Sequence, residues 1–293
     1  MTEAPPTDPT TEAVTVPAAT PALGGDTPGS LLVTFFGAHG RELGGWIAVG
    51  DLIRLMGTAG LEEQPVRSAV SRLKRRGFLL ATPLGGVAGY ALSESARQLL
   101  ADGDRRIYAQ RTPRLADGWV LALFSVPESE RAKRHLLRSR LARLGYGTAS
   151  PGVWLAPAHL YEETRHVLER LGLTEYTDLF RAEHLAFQAT PEAVRRWWDL
   201  PALARCHGEF LELHEPVLTR WNRRRSLPAQ EAFADHLRAL DSWRRLPYLD
   251  PGLPPELLPA DWPGVRAARV FHDLDTRLGE PAAAYVREIV KGR

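Results

Sequence analysis

The sequence predicts an α+β protein in three parts, and three observations carry that expectation. Residues 30–112 read as three helices, a hairpin and a fourth helix. Residues 113–187 read as β-α-β-β-α-β, the ferredoxin-like order. Beyond Thr190 the periodicity is helical, which makes residues 188–293 a mostly helical C-terminal domain.

The first 29 residues stand apart. Residues 1–30 hold four acids (Glu3, Asp8, Glu12, Asp26), six prolines and seven threonines, with no Lys or Arg. Such a stretch buries too little apolar surface to offset its ordering entropy, and residues 1–29 are expected to be a disordered tail. Without those four negative charges, the net charge of the remainder rises from +2 to +6.

Ser30 is expected to cap a first helix with Leu31, Leu32, Phe35 and Phe36 on its apolar side. A glycine-rich link (Gly37, Gly40, Gly44, Gly45) leads to a short helix starting near Asp51, closed by Gly57 and Gly60. A third helix spans about Glu62 to Arg76 and stops at Gly77. Strands Phe78–Ala81 and Val87–Leu92 flank a Thr82-Pro83-Leu84-Gly85-Gly86 turn, and Ser93 caps the fourth helix. A short helix, a glycine turn, a polar-faced helix and a hairpin make a winged helix-turn-helix over residues 30–112.

In the middle part, the run from Trp119 to Val126 is a buried strand, and Pro127-Glu128 opens a basic helix ending near Leu144. Strands Tyr146–Ala149 and Val153–Ala156, a helix Leu160–Leu171 and a strand near Asp178–His184 follow. The last part offers helices Pro191–Trp198, His207–Trp221, Ala229–Arg245 and Val265–Leu278, with a proline-rich extended connector between Tyr248 and Gly264.

The third helix is the most informative segment. Val66, Ala69, Val70 and Leu73 share its packing face. Gln64, Arg67, Ser68, Ser71, Arg72 and Arg75 share the opposite face, where no acid is expected. Arg reads guanine and Gln reads adenine in the major groove, while Ser contacts phosphate or base. The wing turn carries no Lys or Arg, so its backbone contacts are expected to be weak.

Residues 30–290 resemble the PaaX family of transcriptional repressors, named for control of phenylacetic acid catabolism. The resemblance is carried by Gly44-Gly45-Trp46 with Val49–Leu55, by Gln64–Leu73 with Gly77-Phe78-Leu79, and by Trp119–Pro127 with Ser150–Trp154. The most specific string is Asp250–Pro259 followed by Trp262-Pro263-Gly264. One winged helix reads only a few base pairs, so a homodimer on double-stranded operator DNA is expected. The resemblance implies a Cas2-like middle domain, a dimer surface on the middle and C-terminal domains, and repression of a catabolic operon. It also implies release by an acyl- or aryl-CoA such as phenylacetyl-CoA. The acidic tail departs from the family.

A coenzyme A thioester needs cations for its phosphates and aromatic walls for its acyl end. Arg131, Arg134 and Arg138 on the basic helix are one candidate set, and Arg195, Arg196 and Trp197 are another. The rival class is a metal-dependent nuclease built on the Cas2-like domain. Its first strand ends without the aspartate such enzymes use, and Glu128 is better suited to favouring the helix N-terminus. His207 and His214 lack the i, i+4 spacing by which a helix clamps zinc. Arg223-Arg224-Arg225 is expected at a helix end, and Trp197, Trp198, Trp221, Trp243 and Trp262 are expected mostly in the core. No catalytic residue, metal or cofactor is expected. A single cysteine, Cys206, no basic-then-apolar leader and no apolar run near the ~18 residues of a membrane span point to the cytoplasm.

Overall fold

The computed structural model describes residues 27–108, 113–185 and 187–291. Residues 1–26 of the expected tail lie outside them, but its last three residues do not belong to a tail: Thr27 caps a helix and Pro28 and Gly29 form its first turn. The first element of the described residues is α1 (Pro28–Phe35), which continues into a π-helical turn at Phe36–Gly40. Thr27, rather than Ser30, caps α1, because Pro28 sits in the first turn, where its missing N–H costs nothing. Gly44 and Gly45, at φ +74° and +80°, then turn the chain into β1 (Trp46–Ala48). This strand was not expected, since three residues are too few to show a period of two. Helices α2 (Val49–Thr58) and α3 (Glu63–Arg75) follow, then β2 (Leu79–Ala81), β3 (Gly89–Leu92) and α4 (Glu94–Ile107). The three strands form one antiparallel sheet in the order β1-β3-β2.

The middle part holds β4 (Trp119–Phe124), α5 (Arg131–Arg143), β5 (Gly147–Ser150), β6 (Val153–Pro157), α6 (Tyr161–Arg170) and β7 (Thr177–Ala182). Its sheet runs β5-β6-β4-β7, antiparallel throughout, which is the ferredoxin-like arrangement. The two sheet faces have different partners. Val120 and Ala122 pack with Leu137, Leu141 and Leu168 of α5 and α6. Trp119 and Leu155 pack with Val194, Trp198, Leu253 and Leu257 from the last part of the chain.

That last part comprises α7 (Thr190–Trp197), α8 (Leu200–Asn222), α9 (Ala229–Trp243), α10 (Leu246–Leu249) and α11 (Gly264–Lys291). The stretch from Tyr248 to Gly264 is not simply extended: α10 leads into it and a 3-10 turn at Pro255–Leu257 interrupts it. Helix α8 begins seven residues before the expected His207, and α11 runs on past Leu278 through Gly279 and Pro281. An interior proline removes a hydrogen bond and costs about 3 kcal/mol. Packing of Leu274, Leu278, Ala282, Val286 and Ile289 along one stripe outweighs that local preference.

The cores do not follow chain order. Leu31, Phe35, Leu52, Val66, Val70, Leu73, Phe78 and Leu92 share one cluster with Phe233 and Leu237 of α9 and Ala282, Val286 and Ile289 of α11. A buried polar seam joins the same parts. The Asp241 carboxylate of α9 is 1% exposed and accepts from Ser30 Oγ at 2.7 Å and Thr34 Oγ1 at 2.6 Å. It also accepts from Arg244 Nε at 3.1 Å and Arg245 Nη2 at 3.0 Å. Ser30 is therefore a tertiary contact inside the first turn, not a cap.

Candidate nucleic-acid interface and effector sites

Helix α3 is clamped from behind. Val66, Ala69, Val70 and Leu73 are all buried, and Gly77, at φ +67°, stops the helix and turns the chain into β2. All six residues expected to face DNA, Gln64, Arg67, Ser68, Ser71, Arg72 and Arg75, are exposed on the free side. The face is not free of acid. Glu63 accepts from Arg67 Nε at 2.7 Å across one helical turn. Sequence reasoning overlooked this partner because Glu63 lies just before the first residue of the polar stripe.

The β2–β3 hairpin beside α3 is closed by Leu84-Gly85-Gly86-Val87. Both central glycines have positive φ (+58° and +79°), and Leu84 and Val87 exchange backbone hydrogen bonds. That is a type I′ turn, which suits the strand twist. Trp46 of β1 anchors the hairpin by donating from Nε1 to the Thr82 carbonyl at 2.7 Å. A Cβ at residue 89 would lie 2.3 Å from the Trp46 ring, so only glycine fits there. The hairpin is apolar on its outside: Leu84 and Val87 at the tip and Leu80 in β2 are exposed.

The two expected effector sets do not meet. Helices α5 and α7 lie against opposite faces of the four-stranded sheet. Arg131 and Arg138 are exposed. Arg134 is committed within the chain, donating from Nη1 to Glu128 at 2.8 Å and from Nη2 to the Val126 carbonyl at 2.6 Å. Arg195 and Arg196 are exposed at the end of α7. Trp197 is half-buried in an aromatic group with Trp119, Trp198 and His184, at ring distances of 5.9, 6.1 and 5.2 Å. Glu128 is thus an ion-pair partner. Among the described residues, no group of three or more His, Cys, Asp or Glu is placed to hold a metal ion. His207 is buried and bonds Asp250 at 2.7 Å, which ties α8 to the proline-rich segment. Burial lowers His214 to a pKa of about 4. No described helix is long and apolar enough to cross a membrane.

One residue that sequence reasoning missed joins all three parts. Arg106, near the end of α4, has a side chain only 8% exposed. It donates to the Pro247 carbonyl at 2.6 Å, the Leu144 carbonyl at 2.7 Å and Glu163 at 3.1 Å, and stacks over the Tyr248 ring at 4.9 Å. No sequence signal marks it, because its partners come from distant segments.

This arrangement has relatives. Residues 27–96 match the family described as PaaX-like protein, residues 112–194 the PaaX protein central Cas2-like domain, and residues 198–288 the PaaX-like protein C-terminal domain. The chain belongs to the PaaX family. Its sequence is 27% identical over 266 residues to the transcriptional repressor PaaX of Escherichia coli (strain K12), covering 88% of this chain and 83% of that one. The uncharacterized protein Rv0674 from Mycobacterium tuberculosis shares the fold, with a TM-score of 0.56 and 21% identity over 89% of this chain and 98% of its own. The first matched segment of this PaaX-family chain begins at residue 27, so it contains α3 and the hairpin but not the acidic tail up to Asp26.

Proposed function

We propose that this PaaX-family chain is a DNA-binding transcriptional repressor. In this reading residues 27–107 form a winged helix-turn-helix, α3 enters the major groove and the β2–β3 hairpin is the wing. The observation that carries it is the segregation of α3: a fully buried apolar stripe behind and six exposed polar and basic residues in front. The Escherichia coli relative, named a transcriptional repressor, supports the same class. Because the wing tip is apolar, this reading gives the phosphate contacts to α3 and its flanks rather than to the hairpin. One winged helix reads few base pairs, so the chain acts as a homodimer on an inverted repeat. An acyl- or aryl-CoA of the phenylacetyl-CoA type releases it from a catabolic operator. The nuclease alternative has no support in the site, since Glu128 is spent on Arg134.

Operator titration tests the reading. Arg72→Ala is expected to lose roughly 1–3 kcal/mol on specific operator and less on random duplex. Arg75→Ala is expected to weaken both about equally, as a phosphate contact does. Unchanged operator affinity in both variants would remove α3 from the interface. Acyl-CoA thioesters are expected to lower operator affinity in the same titration, and the free acids are not.

A further inference from the structure

The arginines of α5 stand on two flanks of its buried Leu137–Leu141 stripe. Arg131, Arg134 and Arg138 occupy one, and Arg140 and Arg143 the other. The second flank faces the junction of α4, α6 and α10. Arg106 binds the carbonyl of Leu144, the residue after Arg143. Arg170 of α6 reaches Asp102 of α4 at 3.1 Å, and Asp102 also holds Arg105 at 2.6 Å. The acids that pair with these arginines, Asp102 and Glu163, are thus already engaged. Arg140 and Arg143 are half-buried and make no hydrogen bond or ion pair among the described residues. The Nε of Arg140 is shut off from solvent with nothing to donate to.

We propose that Arg140 and Arg143, with Arg106 and Arg170 beside them, form a phosphate-binding site at the junction of α4, α5, α6 and α10. It takes the phosphate groups of a small phosphate ester. Guanidinium groups present paired N–H donors that match phosphate oxygens, and a dianion offsets the repulsion between neighbouring cations. The electrostatics agree: burial first, then the charges of Arg143 and Arg170, push Arg140 below its ordinary pKa. The site is also wired to α3. Arg106 ties the junction to α4, and Ala96, Leu99 and Leu100 at the other end of α4 pack in the core behind α3. This deepens the effector reading above by giving the phosphates of a coenzyme A thioester a location. That location is on the opposite flank of α5 from Arg131, Arg134 and Arg138.

The test is calorimetry on the full chain in a phosphate-free, low-salt buffer, with pyrophosphate and adenosine 3′,5′-bisphosphate as probes. The unmodified chain is expected to bind at least the bisphosphate, and a pyrophosphate response alone assigns the site to simple phosphates. Arg140→Gln/Arg143→Gln is expected to lose about tenfold or more in affinity, and Arg131→Gln/Arg138→Gln less than about twofold. Should the first double variant fail to fold, Arg143→Gln and Arg143→Lys read the same site, with Lys retaining part of the affinity that Gln loses. The proposal fails if neither probe binds, if both double variants weaken binding equally, or if Lys and Gln at 143 behave alike. It also fails if Arg140→Gln/Arg143→Gln loses operator affinity without ligand, which would give these arginines to DNA phosphate. The effector reading fails separately. Probe binding that depends on Arg140 and Arg143, without operator release by any acyl-CoA, keeps the site and removes that effector. Release by an acyl-CoA that ignores both arginines does the reverse.

Discussion

Helices α3 and α5 are both thirteen residues long and rich in arginine, yet they are built for different work. In α3 four apolar residues lie on one side and the polar residues on the other, so its cations form one outward surface. In α5 only Leu137 and Leu141 are buried, and the cations spread around the helix. There Lys133 and Arg134 are paired with Glu130 and Glu128. Backing differs too. α3 rests on a core completed by α9 and α11 from the far end of the chain, whereas α5 packs on its own sheet. Charge alone therefore does not make the surface, since α5 carries six Lys and Arg to the four of α3. In the proposed reading, segregation and a buried backing suit α3 to an extended nucleic-acid face, and dispersal leaves α5 with local ion pairs and the proposed phosphate site.

The backing is where this contrast breaks hardest. Asp241 is buried and holds two hydroxyls and two guanidinium groups between α1 and α9. Asp241→Ala leaves Arg244 and Arg245, themselves largely buried, without that carboxylate, at an expected cost of about 3–5 kcal/mol. The matched change in the turn before α5, Glu128→Ala, removes an exposed partner of Arg134 and is expected to cost about 0–1 kcal/mol. Denaturant unfolding measures both. Similar losses in the two variants would mean that α3 has no special support.

How legible all this was depends on the range of the forces involved. The packing stripe of α3, the Ser93 cap and the order of strands and helices in residues 113–187 are set by neighbours in sequence, and the sequence displays them. The strand β1 is three residues long and exists because Gly44 and Gly45 turn it onto β3. Helix α11 passes Pro281 because α9 and the α3 core need its far end. The partners of Ser30, Asp241 and Arg106 are far away in sequence, so no local pattern could announce them. Among the candidate sites, the face of α3 was visible as periodicity. The availability of Arg140 and Arg143 was not, because it depends on which neighbouring acids are already paired.

A second difference is pH. The four histidines buried among the described residues, His39, His207, His214 and His236, all lie outside the middle domain. His39 packs against Phe35 and Phe233 behind α3, and burial first, then His236 and Arg287, hold its pKa at about 3. A pKa depressed on folding means that the unfolded chain binds the proton first. The stabilisation is therefore complete above about pH 6.5 and is lost as the pH falls towards 3, by up to about 1.4 kcal/mol per pH unit. Urea midpoints at pH 7 and pH 5 are expected to fall steeply for the intact chain and less for His39→Phe, which keeps the ring packing. An identical pH slope in the two proteins would show that the core behind α3 does not set the acid response.

The smallest expected effect probes the one acid on the face of α3. Glu63 and Arg67 are each at least half exposed, so their pair adds little to stability, about 0–1 kcal/mol. For DNA binding it acts in one of two ways. As a plain negative charge beside the duplex, Glu63 opposes the phosphates, and Glu63→Gln raises affinity for operator and random duplex alike. As a brace, it orients Arg67 towards a base edge, and the same change lowers affinity for operator only. The geometry favours the first. The bond runs from Nε of Arg67 to an exposed carboxylate, whereas a brace needs partners locked by packing. The expected result is a gain of about two- to fivefold on both duplexes at low salt, shrinking as screening shortens the reach of the charge. A salt titration of operator and random duplex separates the two. A loss confined to operator would make Glu63 part of the reading head, and α3 would then resemble α5 in using acids to place its arginines.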